Sequence, residues 1–318
     1  MTYAIGIDLG GTKLNIGLVD ESGHVLDKVL VATDIDGGPA AIIQQMSFHA
    51  KELIVKHHKK PLAIGVGLAG QITREGSVSF APNLRWKNVP FKSLLYQKLK
   101  IPIHVLNDVR AATWAEWHFG AGRDCQDIVC LFIGTGIGGG IVSGGHLLVG
   151  ANNSAGELGH IVIDRHGPKC TCGNFGCWEA YVGGWGIAER TREMIVVNPQ
   201  KGERLLKLAD NSLEKVTAKV LEKAYHEGDP LSQHLIQEIA KALVAGSISV
   251  INALNPRRLI FGGGVIKGLP ELIDAVRDGF IQRALASALL DLEILEAHII
   301  SDAPMIGAAT YALENIHD

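Results

Sequence analysis

The sequence predicts an α/β protein of two domains, and three observations support this. Over the first third, short apolar runs alternate with a stretch of helical periodicity, as strands and helices do in a layered fold. The 318 residues exceed the length at which a single core usually divides, about 250–300 residues. Residues 5–19 (IGIDLGGTKLNIGLV) and 131–142 (LFIGTGIGGGIV) repeat one pattern: apolar strand, glycine-rich turn, apolar strand. That echo implies two similar halves, each offering a turn to a shared cleft.

The elements follow in order. Tyr3–Leu9 is an apolar run carrying Asp8, and Gly10-Gly11 leads into a second run from Thr12 to Val19. Glu21-Ser22-Gly23 makes a turn, and Val25–Ala32 reads as the third strand. Residues 39–57 place apolar side chains at 42, 43, 46, 50, 53 and 54, a spacing that predicts a helix. Leu62–Leu68 and Ile103–Leu106 are strands of the buried type, and Ala111–Phe119 is a helix after the second. A domain boundary is placed there. Asp127–Ile133 is a strand, followed by Gly134–Gly140 and Ile141-Val142. Beyond residue 187 the pattern is helical. Leu231, Leu235, Ile239, Leu243 and Val250 form one stripe that Asn255-Pro256 ends. Arg258–Phe261 is a short strand, Pro270 starts another helix, and Ile306–Leu313 is the last.

Composition narrows the function. Glycine is over-represented, 38 residues or about 12%, where roughly 7% is usual. The glycines cluster at 10–11, 134–140, 144–145, 183–186 and 262–264, which suggests backbone turns approaching a ligand. A net charge of −3 without a basic tract gives no support for binding nucleic acid or an anionic membrane. The N-terminus MTYAIGIDLGG carries no basic region ahead of an apolar one. No apolar run approaches roughly 18 uninterrupted residues, so no membrane span is expected. Five cysteines, an odd number, argue against a disulfide framework, and a reduced cytoplasmic protein is expected.

Three turns carry phosphate chemistry. In Asp8-Leu9-Gly10-Gly11-Thr12-Lys13, glycines let backbone N–H groups approach phosphate oxygens and Thr12 adds a hydroxyl. Asp8 could hold a water-coordinated Mg²⁺. Gly134-Thr135-Gly136-Ile137-Gly138-Gly139-Gly140 repeats the glycine-plus-threonine chemistry. Gly262-Gly263-Gly264 ends a strand with no side chain to block a flat purine. None is a Walker loop, and the first runs into a strand where a dinucleotide fingerprint needs a helix. Together they point to a nucleotide.

A metal knot follows. His160, Cys170, Cys172 and Cys177 supply one imidazole and three thiolates, a closed tetrahedral set for structural Zn²⁺. Iron–sulfur ligation usually takes four cysteines. Glu157 precedes one ligand and Glu179 follows another, so two carboxylates flank a metal-fixed loop and suit a polyhydroxylated ligand. The second ring nitrogen of His160 is free to donate outward.

The turns DLGGTK (8–13) and GTGIGGGI (134–141), with AGELGH (155–160) and CTCGNFGCWEA (170–180), resemble the ROK family. That family comprises bacterial sugar kinases and sugar-responsive repressors of the actin-like ATPase superfamily. GLAG at 67–70 and Pro82-Asn83-Leu84 also fit its pattern. The resemblance implies a two-domain, actin-like (ribonuclease H-like) ATPase fold with an interdomain cleft. A small domain of residues 1–109, completed by the helix at 304–318, would face a large one of residues 110–303. It also implies residue roles. Asp108 would be the catalytic base and, with Asn83, Asn107, Glu157, His160 and Glu179, would bind the sugar. Asp8, Gly10, Gly11, Thr12, Lys13, Thr135 and Gly136 would serve the ATP phosphates and Mg²⁺. Gly262, Gly263 and Gly264 would face the adenosine.

The implied reaction is ATP-dependent phosphorylation of a hexose 6-hydroxyl, glucose foremost, with an N-acetylhexosamine kinase as the alternative. A non-catalytic regulator fits less well, since the first core strand starts at Tyr3 and leaves no room for a helix-turn-helix ahead of it. A homodimer is expected. The chain departs from the family after Glu179, reading Ala-Tyr-Val-Gly-Gly-Trp-Gly where kinases usually continue Ser-Gly and a basic residue.

Overall fold

The computed structural model describes residues 1–280, 283–299 and 301–316. By internal contacts these form two units. One comprises Met1–Ile128, Gly140–Gly156 and Ala297–Asp318; the other comprises Val129–Gly139 and Glu157–Glu296.

The first unit starts with β1 (Tyr3–Leu9), β2 (Lys13–Asp20) and β3 (Val25–Ala32), an antiparallel meander. Helix α1 (Gly38–His57) crosses to β4 (Ala63–Leu68), which lies parallel to β1. Three short strands, β5 (Gln71–Ile72), β6 (Val78–Ala81) and β7 (Trp86–Val89), make a small antiparallel sheet. Helix α2 (Phe91–Leu99) leads to β8 (Ile103–Asn107), parallel to β4, and α3 (Asp108–Phe119) follows without a break. The main sheet runs β3-β2-β1-β4-β8. Its core joins Ile5, Ile7, Leu9, Ile64, Val66 and Leu68 to Ile42, Ile43 and Met46 of α1. Register puts Leu9 beside Leu68 and Leu68 beside Asn107, so Asp8 and Asp108 emerge at one edge of the sheet. Ligands of open α/β sheets bind beyond the carboxyl ends of parallel strands.

The second sheet is made of β9 (Ile128–Ile133), β10 (Ile137–Ser143), β11 (His146–Leu147), β12 (Arg258–Gly262) and β13 (Glu293–Glu296). Its order, β11-β10-β9-β12-β13, repeats that of the first: a meander on one side, crossover strands on the other. The echo between 5–19 and 131–142 is therefore a repeated strand–turn–strand unit at corresponding places in two sheets. The helices between are α4 (Glu179–Val182), α5 (Gly184–Val197), α6 (Glu203–Leu208), α7 (Ala218–His226), α8 (Pro230–Leu254), α9 (Gly264–Gly268) and α10 (Glu271–Phe280).

Asp229 caps α8, accepting from Ser232 N at 2.7 Å, and Asn255 ends it with φ +44°. By length and composition alone α8 could cross a membrane, which the expectation from apolar runs did not foresee. It packs instead against α4, α7 and α10, as the core helix of a globular unit does.

Helix α11 (Ala303–Glu314) returns to the first unit and lies on β1, β4 and α3. Close approach makes this possible: a side chain at Gly65 would overlap the Ala308 carbonyl, and one at Gly6 the Met305 carbonyl. Some of the glycine excess thus serves helix packing. By internal contacts 110–128 and 140–156 belong to the first unit, whereas the sequence-based division drew its boundary after residue 109.

Candidate active site

In the first unit the predicted phosphate turn is a tight hairpin. Gly10 N donates to Lys13 O at 3.0 Å, and Thr33 Oγ1 donates to Gly10 O at 2.8 Å. These bonds hold the backbone while leaving Thr12 and Lys13 exposed. Gly11 lies against Asn83: a Cβ there would come within 2.7 Å of the Asn83 carbonyl oxygen. The turn and Asn83 are thus neighbours.

Asn107 is the N-cap of α3, its Oδ1 accepting from Val109 N at 3.0 Å and Arg110 N at 3.2 Å. Only its carboxamide nitrogen is left for a ligand. Asp108 occupies the first helical turn, where a negative charge suits the helix dipole. Asp8 shares its surroundings with Asp108 and Asp302. Burial, then the charges of Asp108 and Asp302, raise the Asp8 carboxyl to about 7. Asp302, at the start of α11, accepts from Asn15 Nδ2 at 3.0 Å and Lys28 Nζ at 2.6 Å.

Sequence reading missed Asp302. Nothing local marks it, since an Asp two residues before a helical proline reads as an ordinary cap. Three carboxylates whose charges oppose one another are a donor set suited to a hard divalent cation such as Mg²⁺. The cation would offset the burial and the like charges that together hold the proton on Asp8.

This has a sign that can be checked. A carboxyl whose folded pKa is raised contributes stability below its unfolded pKa, near 3.8, and loses it as pH rises through about 7. The metal-free protein is therefore expected to lose stability across pH 4–7, by a few kcal/mol at most. Asp8→Asn should flatten that slope in thermal melts and raise Tm at pH 8. An identical pH slope in the variant would contradict the assignment.

In the second unit, the ligand atoms of His160, Cys170, Cys172 and Cys177 all lie within 4.8 Å of one another. Cys172 Sγ and Cys177 Sγ are 3.6 Å apart, and Cys170 Sγ is 3.7 Å from His160 Nδ1. A tetrahedral zinc with Zn–S near 2.3 Å needs edges of about 3.8 Å. The donor set fits the ion. Burial and the neighbouring sulfurs push the Cys177 thiol up to about 12, so a cation is needed to hold it as thiolate.

The backbone makes this geometry. Gly173 and Gly176 turn at φ +93° and +68°, and a side chain at Gly176 would overlap the Asp164 carbonyl. Cys170 N donates to Asn174 O at 2.8 Å, and Trp178 N to Ile161 O at 2.8 Å. Trp178 is wholly buried and fills a notch in α8 at Gly246. With Nδ1 of His160 facing the sulfurs, Nε2 is the nitrogen left for a ligand. Glu157, whose carbonyl accepts from His160 N at 3.1 Å, is exposed.

Glu179 is more engaged than sequence suggested. Its Oε2 accepts from Ile137 N at 2.8 Å and its Oε1 from Trp185 Nε1 at 3.0 Å. Each oxygen keeps one acceptor site for a ligand. A side chain at Gly136 would displace the Glu179 carboxylate from its present position. Gly159 packs on Ile137 from the other direction, so Ile137 joins the knot, the His160 turn and the second glycine turn.

That turn opens on a cavity of about 530 Å³ lined by Gly134, Thr135, Trp185, Ala188, Gly264 and Val265. Arg192, Lys219 and Glu222 also reach it. Two turns predicted to hold one nucleotide, at 134–136 and 262–264, therefore meet at one cavity. Of the second, Gly264 lines it, Gly262 ends β12, and Gly263, with φ +94°, packs on the Ile133 backbone. A larger groove near Lys201 and Arg204 contains none of the predicted residues.

Comparison with known proteins agrees with this chemistry. The ROK family profile matches residues 4–315. A glucokinase of Thermotoga maritima is 35% identical over 314 residues, covering 98% of both chains. An N-acetylmannosamine kinase of Escherichia fergusonii is 33% identical, covering 97% of both. A Streptomyces griseus ROK family glucokinase, solved with glucose and AMPPNP, superposes with TM-score 0.81 at 32% identity, covering 98% of this chain and 100% of that one.

Proposed function

The chain belongs to the ROK family and is an ATP-dependent sugar kinase, and on that premise we propose that it phosphorylates the 6-hydroxyl of a hexose, glucose foremost. The observation that carries the reading is the carboxylate group of Asp8, Asp108 and Asp302 at the carboxyl edge of the first sheet. A bound Mg²⁺ would supply charge neutralisation for the phosphates there. Asp108 accepts the proton of the 6-hydroxyl, whose oxygen attacks the γ-phosphorus while the bond to the bridging oxygen breaks and ADP leaves. Such catalysis depends on positioning and charge more than on covalent chemistry.

Asn83, Asn107, Glu157, His160 and Glu179 are assigned to the sugar hydroxyls. Gly10–Lys13, Thr135 and Gly136 are assigned to the phosphates, and Gly262–Gly264 to the adenosine. The knot acts as a brace for His160 and Glu179 and takes no part in proton transfer. A cytoplasmic setting and a homodimer are expected.

Glucose is preferred because the glucose-bound relative and the T. maritima enzyme are both glucokinases. The 33% identity to an N-acetylmannosamine kinase supports a second reading within the same chemistry. A coupled ADP-release assay over glucose, mannose, fructose, N-acetylglucosamine and N-acetylmannosamine separates them. The highest kcat/KM is expected with glucose. A maximum with an N-acetylhexosamine would replace glucose, and no turnover with any sugar would contradict hexose kinase activity.

A further inference from the structure

Trp185 stands where the chain departs from the family pattern, and three independent contacts converge on it. Its Nε1 donates to Glu179 Oε1 at 3.0 Å. Its ring packs against Cys170, Cys177 and Ala180 of the metal knot. It also lines the cavity shared with Thr135 and Gly264. The backbone adds to this, since Gly184 N donates to Gly134 O and Trp185 N to Thr135 O, each at 2.9 Å. The first N–H groups of α5, otherwise unsatisfied, are thereby spent on fixing the glycine turn.

We propose that Trp185 is a positioning residue for the phosphate donor, tying the Thr135 turn to the knot through Glu179 and walling the cavity that takes the nucleotide's base. The inference rests on the nucleotide reading of this cavity. It goes beyond that reading by giving the knot a second role, on the donor side as well as the sugar side. A flat, half-buried indole whose edge is pinned by a carboxylate cannot swing away, so its face stays available for stacking. Thr135 is exposed at the same turn and depends on that anchoring for its position.

The test compares Trp185→Ala and Trp185→Phe with wild type. Trp185→Ala removes wall and anchor, and should raise KM for ATP about tenfold while KM for the sugar changes by less than about threefold. Trp185→Phe keeps a ring but loses the bond to Glu179, and should fall between the two. ADP binding should quench wild-type tryptophan fluorescence, and Trp185→Phe should lose most of that quench while still binding ADP by calorimetry. Zinc per chain, measured on each variant, identifies any loss of the knot; should Trp185→Ala lose its metal, Trp185→Phe carries the test. An ATP KM within twofold of wild type in the metal-retaining variants, or an undiminished quench in Trp185→Phe, would overturn the proposal. A wild type that turns over no sugar and binds no ADP would sink the nucleotide reading itself, a different outcome.

Discussion

Asp108→Asn is expected to lower kcat by about 10²–10⁴-fold, the usual worth of a general base, while glucose affinity stays within about threefold. The substitution is close to isosteric. Asn107 still caps α3 through Val109 N and Arg110 N, so the helix start is undisturbed. The lost group is the one that would accept the hydroxyl proton, an interaction needed mainly in the transition state. A side effect makes the result diagnostic. The Asp108 charge is one cause of the raised Asp8 carboxyl, so removing it should bring Asp8 back toward its ordinary range. Steady-state kinetics and glucose calorimetry check the first part, and the pH slope of thermal melts checks the second. An unchanged kcat would remove Asp108 as base.

The second large effect belongs to the knot. Cys177 is wholly buried, and Cys177→Ser is expected to abolish zinc binding and lower kcat/KM by more than about 100-fold, the upper end of what changes outside the ligands themselves cost. A bound ion would secure a loop built on two positive-φ glycines and isolated bridges between 162 and 177 and between 169 and 175. Releasing it frees His160 at one end and Glu179, two residues after Cys177, at the other. Because Glu179 bonds Ile137 N, the disturbance should reach the nucleotide turn. KM should rise for both substrates. Cys125→Ser, buried but outside the knot, should keep one zinc per chain. Full activity in a zinc-free Cys177→Ser protein would contradict the brace.

Much of this was legible because it is written in short range. The strand–turn–strand echo appears in contiguous residues, and the structure turns it into two sheets of the same order. The four knot residues lie within eighteen positions, so spacing and chemistry alone assembled them. What stayed hidden depends on long-range packing. Asp302 reaches the Asp8 neighbourhood only because α11 returns to β1, which Gly6 and Gly65 permit. Glu179 read as a plain ligand-binding carboxylate, since no sequence rule says that a backbone N–H and an indole will claim its oxygens. Trp185 was visible as an oddity, and only the fold gives it partners. The length and hydropathy of α8 fit a membrane span as well as a core helix, and only its packing decides between them.

The most direct measurement follows the γ-phosphoryl group itself. With glucose and ATP, ³¹P NMR is expected to show a phosphomonoester resonance split by two methylene protons, as a 6-phosphate requires. With 6-deoxyglucose, the protein should bind the sugar yet release ADP no faster than without it. A phosphoester split by a single proton, or equal ADP release with 6-deoxyglucose, would contradict transfer to the 6-hydroxyl.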